Sequence, residues 1–157
     1  KRQDFMVRAF CNFPQVFENC RLLIAGDGAD RPMLEKLVAR GPRKKDIGLL
    51  PWQEDIEAFF SSIDILVIPS RFEGEPLVML EALARGIPVV GSNRDGMKDI
   101  LPARWTFETE NAAALADTFS FVRDNGLRMI APLREQILNE HSLESFNANF
   151  RAAVLRQ

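Results

Sequence analysis

Two carboxylates, Glu73 and Glu81, bracket the start of an apolar run in RFEGEPLVMLEALARGIPVV, residues 71–90. Pro76 opens that run and suits the first turn of a helix, where its missing N–H removes no bond. A helix start offers unpaired N–H groups and a partial positive charge, so it attracts anions, phosphate above all. Carboxylates around such a start are not there for the phosphate itself. They suit sugar hydroxyls, and in nucleotide-binding α/β folds a carboxylate takes the ribose diol. Leu77, Leu80, Glu81 and Ala84 fall on one helical stripe, while Val78, Met79, Ala82 and Leu83 make the other faces apolar. Glu81 is therefore expected to be the single polar group of a helix buried all round, where a carboxylate without a partner is strongly disfavoured. Either an internal partner such as Arg85 or Arg94 takes it, or a ligand does. With a rise of 1.5 Å per residue, Glu81 lies roughly 7 to 8 Å inside the helix. A nucleotide-sugar laid across the helix start spans that distance. Its diphosphate faces the amides near Gly74 to Leu77, its ribose Glu81 and its sugar Glu73. Glu75 is expected to face solvent.

Positioning these groups requires a sheet. RLLIAG (21–26), DIGLL (46–50), DILVIP (64–69) and IPVVGS (87–92) read as short buried strands. DILVIP is the most β-branched and is expected to be central. Between them lie helical patterns: residues 4–13, with Met6, Ala9, Phe10 and Phe13 inward; a helix from Pro32 to the Gly41-Pro42 stop; Ile56, Phe59, Phe60 and Ile63; and 76–85. This alternation predicts an α/β fold, a Rossmann-like parallel sheet flanked by helices. Beyond Ile100, WTFE (105–108) reads as an edge strand. Residues 112–122 and 127–139 read as two helices, and Ser142 caps a last one carrying Leu143, Phe146, Phe150 and Val154. Ligands of open parallel sheets bind beyond the carboxyl ends of the strands. The loops to watch are then GDGADRP, SRFEGEP and SNRDGMKD. Gly26 and Gly28 allow a tight turn and close backbone approach there, although GDG is neither a dinucleotide fingerprint nor a P-loop.

Composition narrows the function classes. A net charge of -2 gives no reason to expect nucleic acid. Two cysteines without CxxC spacing fit a reduced, cytoplasmic compartment. One histidine excludes a His-rich metal site, and no metal or other cofactor is expected. No apolar run approaches the roughly 18 residues of a membrane span. The basic cluster Arg40, Arg43, Lys44 and Lys45 is expected to be a solvated loop, with contact to anionic lipid or to a partner as the alternative. The chain opens at KRQDF without methionine and is expected to be part of a longer protein.

RLLIAGDG, DILVIPSRFEG, PLVMLEALARGIPVV and GMKDIL stand in the order found in group 1 glycosyltransferases, which this chain resembles over about residues 1 to 101. The most specific element is Glu73-x7-Glu81 followed by Ala82, Gly86, Pro88 and Val89. The resemblance implies the C-terminal, donor-binding half of a retaining enzyme of GT-B architecture. The donor is a nucleoside diphosphate sugar, and the acceptor hydroxyl belongs to a glycan, lipid or small molecule held by a separate N-terminal domain. By the same resemblance, Glu73 is the catalytic-site acid near the donor sugar and Glu81 holds ribose hydroxyls. The amides of Gly74, Glu75, Pro76 and Leu77 meet the diphosphate or sugar, and Lys1 neutralises the diphosphate. The family's first strand and its phosphate-binding Arg precede the position of Lys1, which implies a gap at the topological switch point. Gly74-Glu75-Pro76 replaces the usual Gly-Phe-Gly, and Pro51 stands where a Gly is usual. The chain alone is expected to bind nucleotide weakly and to turn nothing over. The alternatives are a sugar-nucleotide epimerase of the same architecture and a non-catalytic module that keeps the fold. The expected location is the cytoplasm, with peripheral contact at the inner face of the membrane as a further expectation.

Overall fold

Pro32, Asp55 and Gly86 punctuate the chain where the sequence pattern changes period. A computed structural model describes residues 1–74 and 76–140. In chain order the elements are α1 (Gln3–Asn12), β1 (Leu22–Ala25), α2 (Arg31–Arg40), β2 (Ile47–Leu50), α3 (Ile56–Ser61) and β3 (Leu66–Ile68). Then come α4 (Leu77–Ala84), β4 (Val89–Ser92), α5 (Asp95–Ile100), β5 (Thr106–Phe107) and α6 (Ala112–Glu140). Asp55 caps α3 by accepting the Ala58 N–H at 2.9 Å, which ties down one of the donors a helix start leaves free. Gly86 follows α4 with φ 77°, the left-handed conformation that favours glycine after a helix. The elements expected at Glu75 and from Ser142 onward lie outside the described residues.

All strand pairs are parallel, as expected for strands joined through helices. β1 pairs with β2, Leu22 opposite Ile47, while β3, β4 and β5 form a second ladder with Leu66 opposite Val89 and Gly91 opposite Thr106. No ladder joins β1 to β3 among the described residues. The strand with neighbours on both sides is therefore β4, not DILVIP as expected. Every residue of β4 is buried, while β1 and β3 are largely half-buried. Hydrophobicity and β-branching mark a buried strand, but order within a sheet is decided by pairing.

The core joins both layers. α4 contributes Met79, Ala82 and Leu83, β4 contributes Val89 and Val90, and α6 contributes Leu115, Val122, Ile130, Leu133 and Ile137, all buried. α1 turns Phe5, Met6, Ala9 and Phe10 inward. Phe10, Phe17 and Phe119 form a ring series with centroids 5.2 and 4.7 Å apart, which locks α1 to α6.

Residues 112–122 and 127–139 do not form two helices; one helix of 29 residues runs through both. Gly126, in the interval between those two ranges, lies mid-helix against Pro88. A Cβ built there would meet the Pro88 ring at 2.9 Å. The glycine serves close packing rather than a turn.

Candidate functional site

The segments after β3 and β4 are joined at the carboxyl ends of their strands. Ser92 Oγ, buried, donates to the Ser70 carbonyl at 2.6 Å, and the Gly96 N–H donates to the Gly74 carbonyl at 2.9 Å. These bonds tie the loop carrying Glu73 to the loop after β4. Within it, Ser70 Oγ donates to Glu73 Oε1 at 2.7 Å. Lys1 Nζ, at the head of α1, donates to the same oxygen and forms an ion pair. The Glu73 side chain is only 11% exposed while that of Lys1 is 64% exposed. Burial pushes the Glu73 carboxyl up. The hydrogen bonds from Lys1 and Ser70, with the charge of Lys1, more than offset that and hold it below the usual carboxylate range. Two groups 72 positions apart in the chain, a cation and an ionised acid, are thus brought together.

Beside Lys1 lies a groove of about 240 Å³, bordered by Ala25, Gly26, Asp27, Gly28 and Arg31. Gly26 has φ 116°, a conformation that side chains rarely adopt, whereas the Cβ position of Gly28 faces open space. So the first glycine is needed by the turn, and the second leaves the groove unobstructed. Arg31 clips this loop to the end of β2. Its Nη1 donates to Asp27 at 3.0 Å and to the carbonyls of Leu50 at 3.1 Å and Gly26 at 3.3 Å. Its Nη2 reaches the Leu49 carbonyl at 3.3 Å. Asp27 in turn accepts the Trp52 N–H at 3.0 Å. Sequence reasoning missed Arg31. Its spacing to Asp27 and Glu35, four residues each way, signals helix-surface pairs, but nothing local signals the strand carbonyls.

α4 begins at Leu77, with Pro76 as its cap rather than its first residue. The Met79 N–H donates to the Pro76 carbonyl at 2.8 Å, so the N–H groups of Leu77 and Val78 precede the first intrahelical bond and point at the helix mouth. Glu81 departs from expectation. α4 is not buried all round: Leu77 is 71% exposed and Val78 38%, and Glu81 and Arg85 share that open face. Only the stripe of Met79, Ala82 and Leu83 faces the core. An apolar composition does not imply burial, since much protein surface is apolar. Neither expected internal partner takes the Glu81 carboxylate. Arg85 pairs with Glu57 and donates to the Glu81 backbone carbonyl at 2.9 Å, and Arg94 donates to Thr109 Oγ1 at 3.2 Å. Among the described residues the Glu81 carboxylate has no hydrogen-bond partner.

A second charged cluster escaped the sequence reading. Glu110, ahead of α6, accepts from Arg2, next to Lys1, and from Arg71, two residues before Glu73. The basic stretch at 40–45 is not uniformly solvated. Arg43 lies half-buried with its guanidinium 4.0 Å from the centre of the Phe10 ring, and it donates to the Phe17 carbonyl at 3.0 Å. Among the described residues no helix is long and apolar enough to cross a membrane.

The fold and this loop cluster can be set beside known proteins. Residues 1–125 match the family described as Glycosyl transferases group 1. This chain belongs to the group 1 glycosyl transferases. It is 30% identical over 108 residues to the O-antigen biosynthesis glycosyltransferase WclY of Escherichia coli, a match over 68% of this chain and 31% of that protein. It is 32% identical over 87 residues to the alpha-monoglucosyldiacylglycerol synthase of Acholeplasma laidlawii, over 54% of this chain and 22% of that one. The glycosyl transferase chain thus spans about a third or less of the curated relatives it matches. Among solved structures, HepE of Anabaena in complex with UDP superposes with a TM-score of 0.89 at 15% identity, over all of this chain and 46% of that one. S. aureus TarM, in a complex that includes UDP, gives 0.86 at 21% identity, over 96% and 32%. At these identities the likeness speaks for the fold, which is of the GT-B type.

Proposed function

We propose that this glycosyl transferase chain binds a nucleoside diphosphate sugar and, within a larger protein, serves retaining transfer of the sugar to an acceptor hydroxyl. The observation that carries the reading is the meeting of Lys1 and Glu73 at the strand ends, beside the groove at Gly26 and Gly28 and the free amides of α4. UDP in the HepE and TarM complexes supports a uridine nucleotide as the first donor to try. Without donor, Lys1 rests on Glu73. On binding, the diphosphate takes Lys1 and the Leu77 and Val78 amides, which neutralise the leaving group. Glu73, still oriented by Ser70, then faces the donor sugar and stabilises positive charge at its anomeric carbon. Glu81, unpaired on the open face of α4, accepts from the ribose hydroxyls.

Calorimetric titration with UDP, GDP and ADP tests this. One of the three is expected to bind the chain weakly. Glu81→Ala and Lys1→Ala each lower that affinity roughly tenfold or more, the effect of deleting a charge-assisted hydrogen bond. Glu81→Ala leaves the unfolding midpoint nearly unchanged, because the side chain is exposed. A folded protein that binds none of the three at millimolar concentration overturns the reading.

A further inference from the structure

We propose that the outer face of α1 and α2 docks on an anionic phospholipid surface. A groove between these helices is lined by Arg8 from α1 and by Pro32, Met33, Lys36, Leu37 and Arg40 from α2. Met33, Lys36, Leu37 and Arg40 recur at helical spacing, so one stripe of α2 looks outward while Leu34 and Val38 are buried behind it. Met33 is 44% exposed, and Arg8, Lys36 and Arg40 are exposed with it. Elsewhere Arg2, Arg31, Arg43, Arg71, Arg85 and Arg123 each hold a carboxylate. Arg8, Lys36 and Arg40 hold none among the described residues. Glu35, their neighbour on α2, is bound by Arg31.

Unpaired cations around the exposed Met33 and the half-buried Leu37 match the boundary between acyl chains and anionic headgroups. A nucleic acid asks for cations without that apolar floor. The inference is independent of the donor site, whose groove opens at the strand ends.

Co-sedimentation of the full chain with vesicles is the test, using phosphatidylcholine alone and phosphatidylcholine with phosphatidylglycerol. Binding is expected to the second and not the first, and to weaken as salt is raised. Joint replacement Arg8→Gln, Lys36→Gln and Arg40→Gln lowers vesicle binding roughly a hundredfold, at the energy each basic residue gains near such a surface. Met33→Glu also lowers it, with circular dichroism of both variants unchanged because all four side chains are exposed. Equal binding to the two vesicle types, or full binding by the triple variant, overturns the proposal. So does full vesicle binding by Met33→Glu together with tight binding of an oligonucleotide, which would assign the face to a polyanion instead.

Discussion

Glu73 is held charged because Lys1 and Ser70 reach one oxygen of a carboxyl that burial alone would push upward. What holds Lys1 there is its neighbour. Arg2 and Glu110 both adopt left-handed backbone, φ 64° and 66°, and they are bonded to each other. Residues other than glycine keep that conformation only where their surroundings enforce it. Arg71 closes the cluster on the loop that carries Glu73. Glu110 thus acts as a positioning residue for both partners of the Lys1–Glu73 pair. Hydrogen bonds from Arg71 and then Arg2 hold Glu110 below the usual carboxylate range, against a small opposing effect of burial. Both depressed acids contribute their bonds fully above about pH 4.3, the ordinary glutamate value, and lose them as the pH falls through their lower folded values. The diphosphate takes Lys1 from Glu73 in any case, so it is Glu110 that sets the response: nucleotide affinity is expected to be flat down to about pH 4.3 and to fall only below it, as Glu110 protonates and releases Arg71 and Arg2. Glu110→Gln lowers affinity at neutral pH by up to roughly fivefold, the range for exposed pairs, and raised salt narrows the difference between variant and parent. An affinity unchanged by Glu110→Gln would reduce this cluster to a surface tie. Lys1 was legible only through the resemblance, and Arg2, Arg71 and Glu110 not at all, because they are brought together across the fold and no local spacing connects them. Glu73 was legible because it stands at a helix mouth with a second acid one spacing on.

Element boundaries followed closely from local chemistry. Each of the strands read at 21–26, 46–50, 64–69 and 87–92 contains an observed strand within it. Hydrophobic period and Gly or Pro punctuation act over a few residues, and so can be read without knowing the fold. Two element-scale errors share one cause. Glu81 is expected in a buried helix, and two helices are expected at 112–122 and 127–139, from the local pattern alone. Burial of α4 depends on what lies across from it, and the role of Gly126 depends on Pro88, 38 positions earlier in the chain. Gly126→Ala makes the second point testable. In a helix the change gains up to about 1 kcal/mol. Here the new methyl meets the Cβ and Cγ of Pro88 at 2.9 Å and Val122 Cγ1 at 3.2 Å. A proline ring cannot swing aside, so overpacking of about 1–3 kcal/mol outweighs the helical gain. Urea denaturation should show a net loss of about 1–2 kcal/mol. A gain in stability would mean that α6 slides on β4's neighbour Pro88 without resistance.

Over the whole molecule the notable feature is that the parallel sheet comes as a pair and a triplet, a break anticipated from the resemblance as a gap at the topological switch point. The α/β class was legible because strand and helix periods alternate, while the sheet order was not, since pairing is not encoded in any single strand. The break has a consequence for local stability. In β4 every residue has a ladder partner, Val89 and Val90 on β3, Gly91 on both sides and Ser92 on β5. In β1 and β3, with one paired neighbour each, N–H groups alternate between the ladder and the open edge. Native-state hydrogen exchange should therefore protect all four residues of β4, buried on both faces, at close to the global unfolding free energy. Along Leu22–Ala25 and Leu66–Ile68 it should show slow and fast amides in alternation. Nucleotide added to the chain should slow exchange at Leu77 and Val78 without changing β4, because the phosphate meets the start of α4 and not the ladder. Uniform protection along both β1 and β3 would mean that their free edges are covered in solution, and a sheet closed in that way would carry the donor loops on one continuous frame instead of two.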